Sequence, residues 1–305
     1  MNDKQTTAFI GLGVMGAPMA GHLAAAGYRV TAYNRTHSRA ETWLAAQQAM
    51  GHDVAIADTP AKAAKDADIV FACVGNDEDL QQIALGADGA LDAMRAGALF
   101  VDHTTVSARM ARQIDAAAGE RGLAAVDAPV SGGQAGAENG ALAIMCGGSE
   151  AAMARATPVM DCYAARIVHV GEAGAGQTAK MANQMCIAGV LGGLSEAIRL
   201  ADAAGLDMDK TYEAISGGAA QSWQMNNRWP TMAAGEFDFG FAIDWMRKDL
   251  GYALEEAGKL GLSSPISSLV DQLYAEVQAN GGGRKDTSAL ITRLPIGNRA
   301  KGGAS

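Results

Sequence analysis

The chain has 305 residues, 49% of them hydrophobic and 19% charged, the balance of a folded globular protein of about two domains and not of a disordered one. A net charge of −9 argues against nucleic acid or an anionic membrane surface as a partner, so an anionic ligand must be held by local donors. The four cysteines (Cys73, Cys146, Cys162, Cys186) lack CxxC spacing, the five histidines lack metal-ligand spacing, and the longest apolar run, Cys186–Leu194, is far short of a membrane span.

The opening stretch "MNDKQTTAFIG" has no basic-then-apolar leader plan, and the expectation is a cytoplasmic protein with reduced thiols. Strand-like runs follow at Thr7–Ile10, Arg29–Tyr33, Ile69–Val74, Leu99–Asp102, Ala124–Asp127 and Leu142–Cys146. They alternate with helical segments such as Ala17–Ala26, Ala40–Ala49 and Ala108–Arg121, the order of βαβ units with a parallel sheet. A last strand-like run, "ARIVHVG", closes at Gly171. Beyond it the period becomes helical: Gln177–Ala204 reads as one long helix, followed by Lys210–Ile215, Met246–Leu260 and Ile266–Gln278. The expected class is α/β, with a mainly parallel, doubly wound domain over residues 1–166 and an all-α domain over 167–305. "NGGGRKDTS" from Asn280 reads as a loop and the terminal "AKGGAS" as disordered.

Glycine makes up 38 residues, against an average near 7%, so its clusters mark tight turns and close backbone approaches. Gly11, Gly13 and Gly16 have the spacing G-x-G-x-x-G directly after the first strand, with Val14 and Met15 opening the helix. There Gly11 permits the turn, Gly13 lets backbone approach a pyrophosphate, Gly16 lets helix and strand pack, and the helix end supplies amides. This is the fingerprint of a Rossmann dinucleotide site, and its context supports it. At the end of the second strand an acid would bond the ribose hydroxyls of NAD; the chain has Asn34, Arg35 and Thr36 instead. An arginine there pairs a 2′-phosphate, with Asn34 and Thr36 as donors, which tilts the expectation to NADP(H), NAD remaining possible.

Ser131-Gly132-Gly133 offers a hydroxyl and two unhindered amides, either a carboxylate cradle or a plain glycine hairpin. Lys180 in "GAGQTAKMANQ" carries the one formal charge between Glu172 and Glu196. Such an ammonium is paired, snorkels out, or sits at a site that uses it. Lys180, Asn183 and Gln184 stand at i, i+3 and i+4 and share a helix face. Asp102-His103 is adjacent along a strand, so the two point to opposite faces and do not form a dyad; His169 reads as structural. Trp223, Trp229 and Trp245 read as core, as do most of the methionines.

The glycine turn, "DAPVSGG", "GAGQTAKMANQ" and "KDLGYALEEA" stand in an order and spacing that resemble the β-hydroxyacid dehydrogenases, from Thr6 to Leu294. This family includes 3-hydroxyisobutyrate dehydrogenase and tartronate semialdehyde reductase. The resemblance implies a Rossmann domain, a long inter-domain helix, an all-α domain and an active site in the cleft. It puts Lys180 on the catalytic lysine and Ser131, Gly132 and Gly133 on the substrate-carboxylate loop. It puts Lys248 on a lysine that contacts the cofactor, and Val74, Gly75 and Thr105 on positions lining it. Asn183 and Gln184 would hold the lysine and the substrate oxygen in register. Two departures stand out: Gln184 where many members have Asn, although tartronate semialdehyde reductases share Asn-Gln, and Val74-Gly75 where Leu-Pro is frequent.

A partly desolvated lysine releases its proton more readily, which suits proton transfer beside a hydride carrier. The expected activity is an NADP(H)-preferring dehydrogenase of a small β-hydroxyacid and its semialdehyde, most like 3-hydroxyisobutyrate dehydrogenase. The alternatives are a tartronate, glyoxylate or succinic semialdehyde reductase and, from another class, a non-catalytic dinucleotide-binding module. The partners expected are a small carboxylate substrate and further copies of the chain, as homodimer or homotetramer, with no metal.

Overall fold

The computed structural model describes residues 5–294, so the terminal "AKGGAS" lies outside the described residues. The chain divides into two compact units, residues 1–180 and 181–305.

The first unit runs β1 (Thr7–Ile10), α1 (Gly16–Ala25), β2 (Val30–Tyr33), α2 (His37–Ala49), β3 (Val54–Ile56), α3 (Pro60–Ala64), β4 (Ile69–Ala72), α4 (Asp77–Leu85), β5 (Leu99–Asp102), α5 (Ala108–Glu120) and β6 (Ala124–Asp127). It continues through β7 (Val130–Ser131), α6 (Gly133–Glu138), β8 (Leu142–Gly148), α7 (Glu150–Met160) and β9 (Ala164–Gly171), and includes the start of α8 (Ala175–Ala203). The sheet order is β3-β2-β1-β4-β5-β6-β8-β7, with β9 paired to β8. From β3 through β6 every pairing is parallel; β8 runs antiparallel to β6 and β7 and parallel to β9.

Period-2 alternation decides which layer each strand residue joins. Phe9, Ile69, Phe71, Leu99 and Val101 pack with α1, α2 and α7 on one face. Ala8, Ile10, Val70, Ala72 and Phe100 pack with α3, α4 and α5 on the other. Covered on both sides, β1, β4 and β5 are buried at every position, hence their continuous apolar runs. Each such large side chain contributes roughly 1.5–3 kcal/mol on burial. The order reverses between β1 and β4, and their register brings the carboxyl ends of β1, β4, β5 and β6 into one row.

The expected boundary at residue 166 falls inside β9, and the first unit extends to Lys180. Two contacts account for this: β9 is hydrogen-bonded into the sheet beside β8, and the first turn of α8 is held by Asp127 of β6. The short β3 and β7, and helices α3, α4, α6 and α7, add to the expected elements.

The second unit is helical: the rest of α8, α9 (Met208–Ser216), α10 (Trp223–Ala234), α11 (Ile243–Lys259) and α12 (Pro265–Val277), then a wide turn at Gln278–Gly282 and a 3-10 helix at Thr287–Arg293. The loop expected from Asn280 is therefore shorter, although Asn280 and Gly281 do have non-helical angles. Trp229 and Tyr274 are fully buried, and their polar ends donate to Met208 O at 3.2 Å and Thr287 O at 3.1 Å. Trp223 and Trp245 are not core: they are 56% and 39% exposed. Among the described residues no helix is long and apolar enough to cross a membrane.

Candidate active site

The glycine turn stands at the point of strand reversal. Gly11 has φ +101°, and a Cβ there would collide with the carbonyl oxygen of Cys73; a Cβ at Gly16 would collide with that of Gly11. At Gly13 no protein atom lies within 4 Å of where a Cβ would stand, so its backbone is open to a ligand. No side chain caps the first turn of α1, whereas Asn76, Ser107 and Ser149 cap α4, α5 and α7. Val14 is exposed and Met15 half-buried, leaving this helix end as a positively polarised set of amides. These residues fit a dinucleotide pyrophosphate.

At the end of β2 the Asn34 carboxamide accepts from Leu12 N–H at 2.9 Å and donates to Thr36 C=O at 2.9 Å. Asn34 thus shapes the loop and ties it to the glycine turn. Arg35 extends into solvent, 76% exposed, and its Nη1 donates to Asp79 Oδ1 of α4 at 2.7 Å. Thr36 is the exposed residue just before α2, and its hydroxyl does not cap that helix.

A hydrogen bond joins the β4–α4 and β5–α5 loops, Val74 N–H to Thr104 Oγ1 at 3.0 Å. Gln177, fully buried, grips the second loop on either side of Thr105: its Nε2 donates to Thr104 O at 2.7 Å and its Oε1 accepts from Val106 N–H at 3.1 Å. Asp127 accepts from Gly174 N–H at 2.7 Å and Gln177 N–H at 2.8 Å, satisfying amides at the start of α8. Burial pushes its carboxyl up to about 6, against the pull of those two amides. One turn on, Lys180 is buried, with 7% of its surface exposed. No sequence signal marked Asp127 or Gln177 as partners, though both lie inside the quoted motifs.

Ser131 ends β7, and Gly132 and Gly133 follow with φ of +133° and +61°. They lead into α6, so the segment is a strand–turn–helix and not a plain hairpin. A Cβ on Gly132 would press on Leu142 at 3.1 Å, while none at Gly133 meets anything within 4 Å.

In the second unit Asn183 Nδ2 donates to Gln184 Oε1 at 2.9 Å, and Gln184 Nε2 donates to Asp249 Oδ2 at 2.7 Å. Asp249 Oδ1 lies 3.1 Å from Lys248 Nζ, and that ammonium stands over the rings of Tyr252 and Trp245 at 5.3 and 5.7 Å. Both ends of the Gln184 amide are therefore engaged, which makes it a support for Asn183 and not a second open carboxamide. Asp249, 2% exposed, is the member of this chain that sequence reasoning passed over.

His103 is buried, and both of its ring nitrogens are taken up away from Asp102, Nδ1 on Ala128 O at 2.7 Å and Nε2 on Tyr163 Oη at 2.9 Å; burial lowers it to about 4. His169 bonds Gly148 O at 2.7 Å. None of the four cysteines is in a disulfide, and among the described residues no cluster of three His, Cys, Asp or Glu could hold a metal.

Two family models match the chain. The NAD binding domain of 6-phosphogluconate dehydrogenase covers residues 6–171, and the model described as NAD-binding of NADP-dependent 3-hydroxyisobutyrate dehydrogenase covers 174–294. An uncharacterized oxidoreductase of Shewanella frigidimarina is 56% identical over 94% of this chain and 97% of its own. The solved structure of Mycobacterium tuberculosis 3-hydroxyisobutyrate dehydrogenase with L-serine is 34% identical, with TM-score 0.85 over 94% of this chain and 98% of that one. A structure described as Psf3 in complex with NADP+ and 2-OPP is 25% identical, with TM-score 0.85 over 95% of this chain and 100% of that one.

Proposed function

The chain belongs to the β-hydroxyacid dehydrogenase family and is an NAD(P)-dependent oxidoreductase; on that premise we propose that it interconverts a small β-hydroxyacid and its semialdehyde, with NADP(H) preferred. Gly11, Gly13, Val14, Met15 and Gly16 hold the pyrophosphate through backbone amides, and Arg35 takes the 2′-phosphate. Val74, Gly75, Thr105 and Lys248 line the cofactor. When bound, the nicotinamide supplies the hydride acceptor in oxidation and the hydride donor in reduction.

Ser131, Gly132 and Gly133 receive the substrate carboxylate. Lys180 takes the hydroxyl proton as that carbon becomes a carbonyl and returns it in the reverse direction. Asn183, backed by Gln184, keeps lysine and substrate oxygen in register. The observation that carries this reading is the burial of Lys180, 7% exposed one turn beyond the Asp127–Gln177 clamp: a pure dinucleotide binder has no use for a buried proton carrier. L-Serine in the mycobacterial relative supports the substrate class, since its hydroxyl is on the carbon β to a carboxylate. NADP+ in the Psf3 complex and the NADP-dependent family model support the cofactor.

The test is absorbance at 340 nm with 3-hydroxyisobutyrate, L-serine and the tartronate, glyoxylate and succinic semialdehyde substrates, each with both cofactors. The highest kcat/KM is expected for a β-hydroxyacid with NADP+. A second reading, a semialdehyde reductase of the tartronate type, is favoured by the Asn183-Gln184 pair and wins if the semialdehydes dominate the panel. No turnover of any member would leave only a binding module. The chain also acts as a homodimer or homotetramer, given the many Gly and Ala of α8; a monomer mass by light scattering at micromolar concentration would refute this.

A further inference from the structure

The Arg35–Asp79 pair joins two residues with different freedom. Asp79 is 26% exposed and stands in the first turn of α4, its backbone amide bonded to Asn76 Oδ1 at 2.8 Å. Arg35, 76% exposed, is a long side chain on a loop, and it reaches Asp79 through Nη1. Secondary structure thus fixes the carboxylate, and the guanidinium comes to it. Of the other acids in that turn, Asp77 bonds Ser107 N–H at 2.8 Å, Ser107 Oγ at 2.6 Å and Arg109 at 3.3 Å, and Glu78 is exposed.

We propose that Asp79 is a specificity-determining residue for the cofactor: its carboxylate competes with the 2′-phosphate for Arg35 and keeps the NADP(H) preference below what Arg35 alone would confer. This rests on the reading that Arg35 receives the 2′-phosphate. Two effects oppose each other. The ion pair pre-orients Arg35, but an exposed pair restrains a long side chain only weakly. Against that, a 2′-phosphate brings close to two negative charges to a guanidinium whose other edge holds a carboxylate, inside a Debye length of about 10 Å. Repulsion is the larger effect. The neutral 2′-hydroxyl of NAD(H) meets neither competition nor repulsion, so Asp79 narrows the gap between the two cofactors.

Asp79→Asn removes the charge and keeps the shape, with a side-chain oxygen that still accepts from Arg35. The ratio of kcat/KM for NADP(H) to that for NAD(H) is measured at low and high salt in the wild type, Asp79→Asn, Asp79→Ala and Arg35→Ala. Both Asp79 variants are expected to raise the ratio about 3–15-fold at low ionic strength, and the gain is to shrink toward twofold near ~0.5 M salt. An unchanged or lowered ratio in both Asp79 variants, while Arg35→Ala erodes the preference, overturns the proposal and leaves the Arg35 reading standing. A rise indifferent to salt overturns it as well, because the cause is then not electrostatic. An Arg35→Ala ratio equal to wild type sinks the reading itself, and the proposal with it.

Discussion

Gln177 is the side chain on which loop and helix depend together. Gln177→Leu keeps the volume and removes both hydrogen bonds, orphaning the buried Thr104 C=O and Val106 N–H. Each of the two orphaned groups costs about 1–3 kcal/mol, and the added apolar burial returns roughly 1, so a net loss of about 1–5 kcal/mol is expected. Gln177→Glu keeps an acceptor for Val106 N–H but sets a second oxygen where Nε2 now lies, 2.7 Å from Thr104 O. Protonation restores the donor, so the folded state raises that carboxyl above its unfolded value. Its stabilising effect is then full below the unfolded value, near 4.3, and is lost as pH rises through the folded one. The Glu variant should therefore approach wild type at pH 5 and fall to or below the Leu variant at pH 8, while the Leu deficit stays constant. Urea unfolding followed by circular dichroism, with hydrogen exchange of the Val106 amide, measures this, and KM for the cofactor should rise in step as the Thr105 loop loosens. A Leu variant with a wild-type midpoint and a protected Val106 amide refutes the reasoning, as does a Glu variant that tracks Leu at both pH values.

Two further outcomes follow from the same geometry. Gly133 has φ +61°, so Gly133→Val strains the turn by about 1–3 kcal/mol and blocks backbone approach. KM for the acid should rise sharply while cofactor KM stays near normal; an unchanged acid KM would remove this loop from the substrate site. Asp127 is raised from 3.8 to about 6 by burial, so folding is favoured by its proton: its contribution is full below 3.8 and is lost as pH rises through about 6. Asp127→Asn abolishes that titration, and its stability relative to wild type should improve on the order of 2–3 kcal/mol between pH 4 and 7. A difference independent of pH in denaturant titrations would contradict it.

The alternation of apolar strands and Ala-rich helices made the parallel sheet readable, because strands covered on both faces leave continuous apolar runs such as "AFI" and "IVFA". β3 escaped notice because three residues, Val54–Ile56, are too few to show a period. Pro158 and Pro230 interrupt the helical signal within α7 and α10, where Ser149 and Ser222 cap the starts. The glycine turn and Lys180 stood out because glycines and an isolated charge are unusual where they occur. What could not be read were long-range polar pairings: Gln177 meets Thr104 across 73 residues, Gln184 meets Asp249 across 65, and Arg35 meets Asp79 across 44. Each of these is set by strand order or helix packing, so no local pattern encodes it. The same holds for Asn34, whose carboxamide is engaged by a backbone amide 22 residues earlier in the chain.

The central claim is that Lys180, buried in α8, moves the substrate proton, as neutral amine taking it in oxidation and as ammonium returning it in reduction, and Lys180→Met tests it most directly. Methionine preserves the length of the side chain and its place in α8 while removing the charge. Single-turnover and steady-state rates at 340 nm, with cofactor affinity from fluorescence titration, separate chemistry from binding. The account predicts a folded variant, at least as stable as wild type, that binds NADP(H) normally and has kcat lowered on the order of 10²–10⁴. A Met variant with kcat within a few-fold of wild type would contradict the claim and assign the proton transfer to another residue.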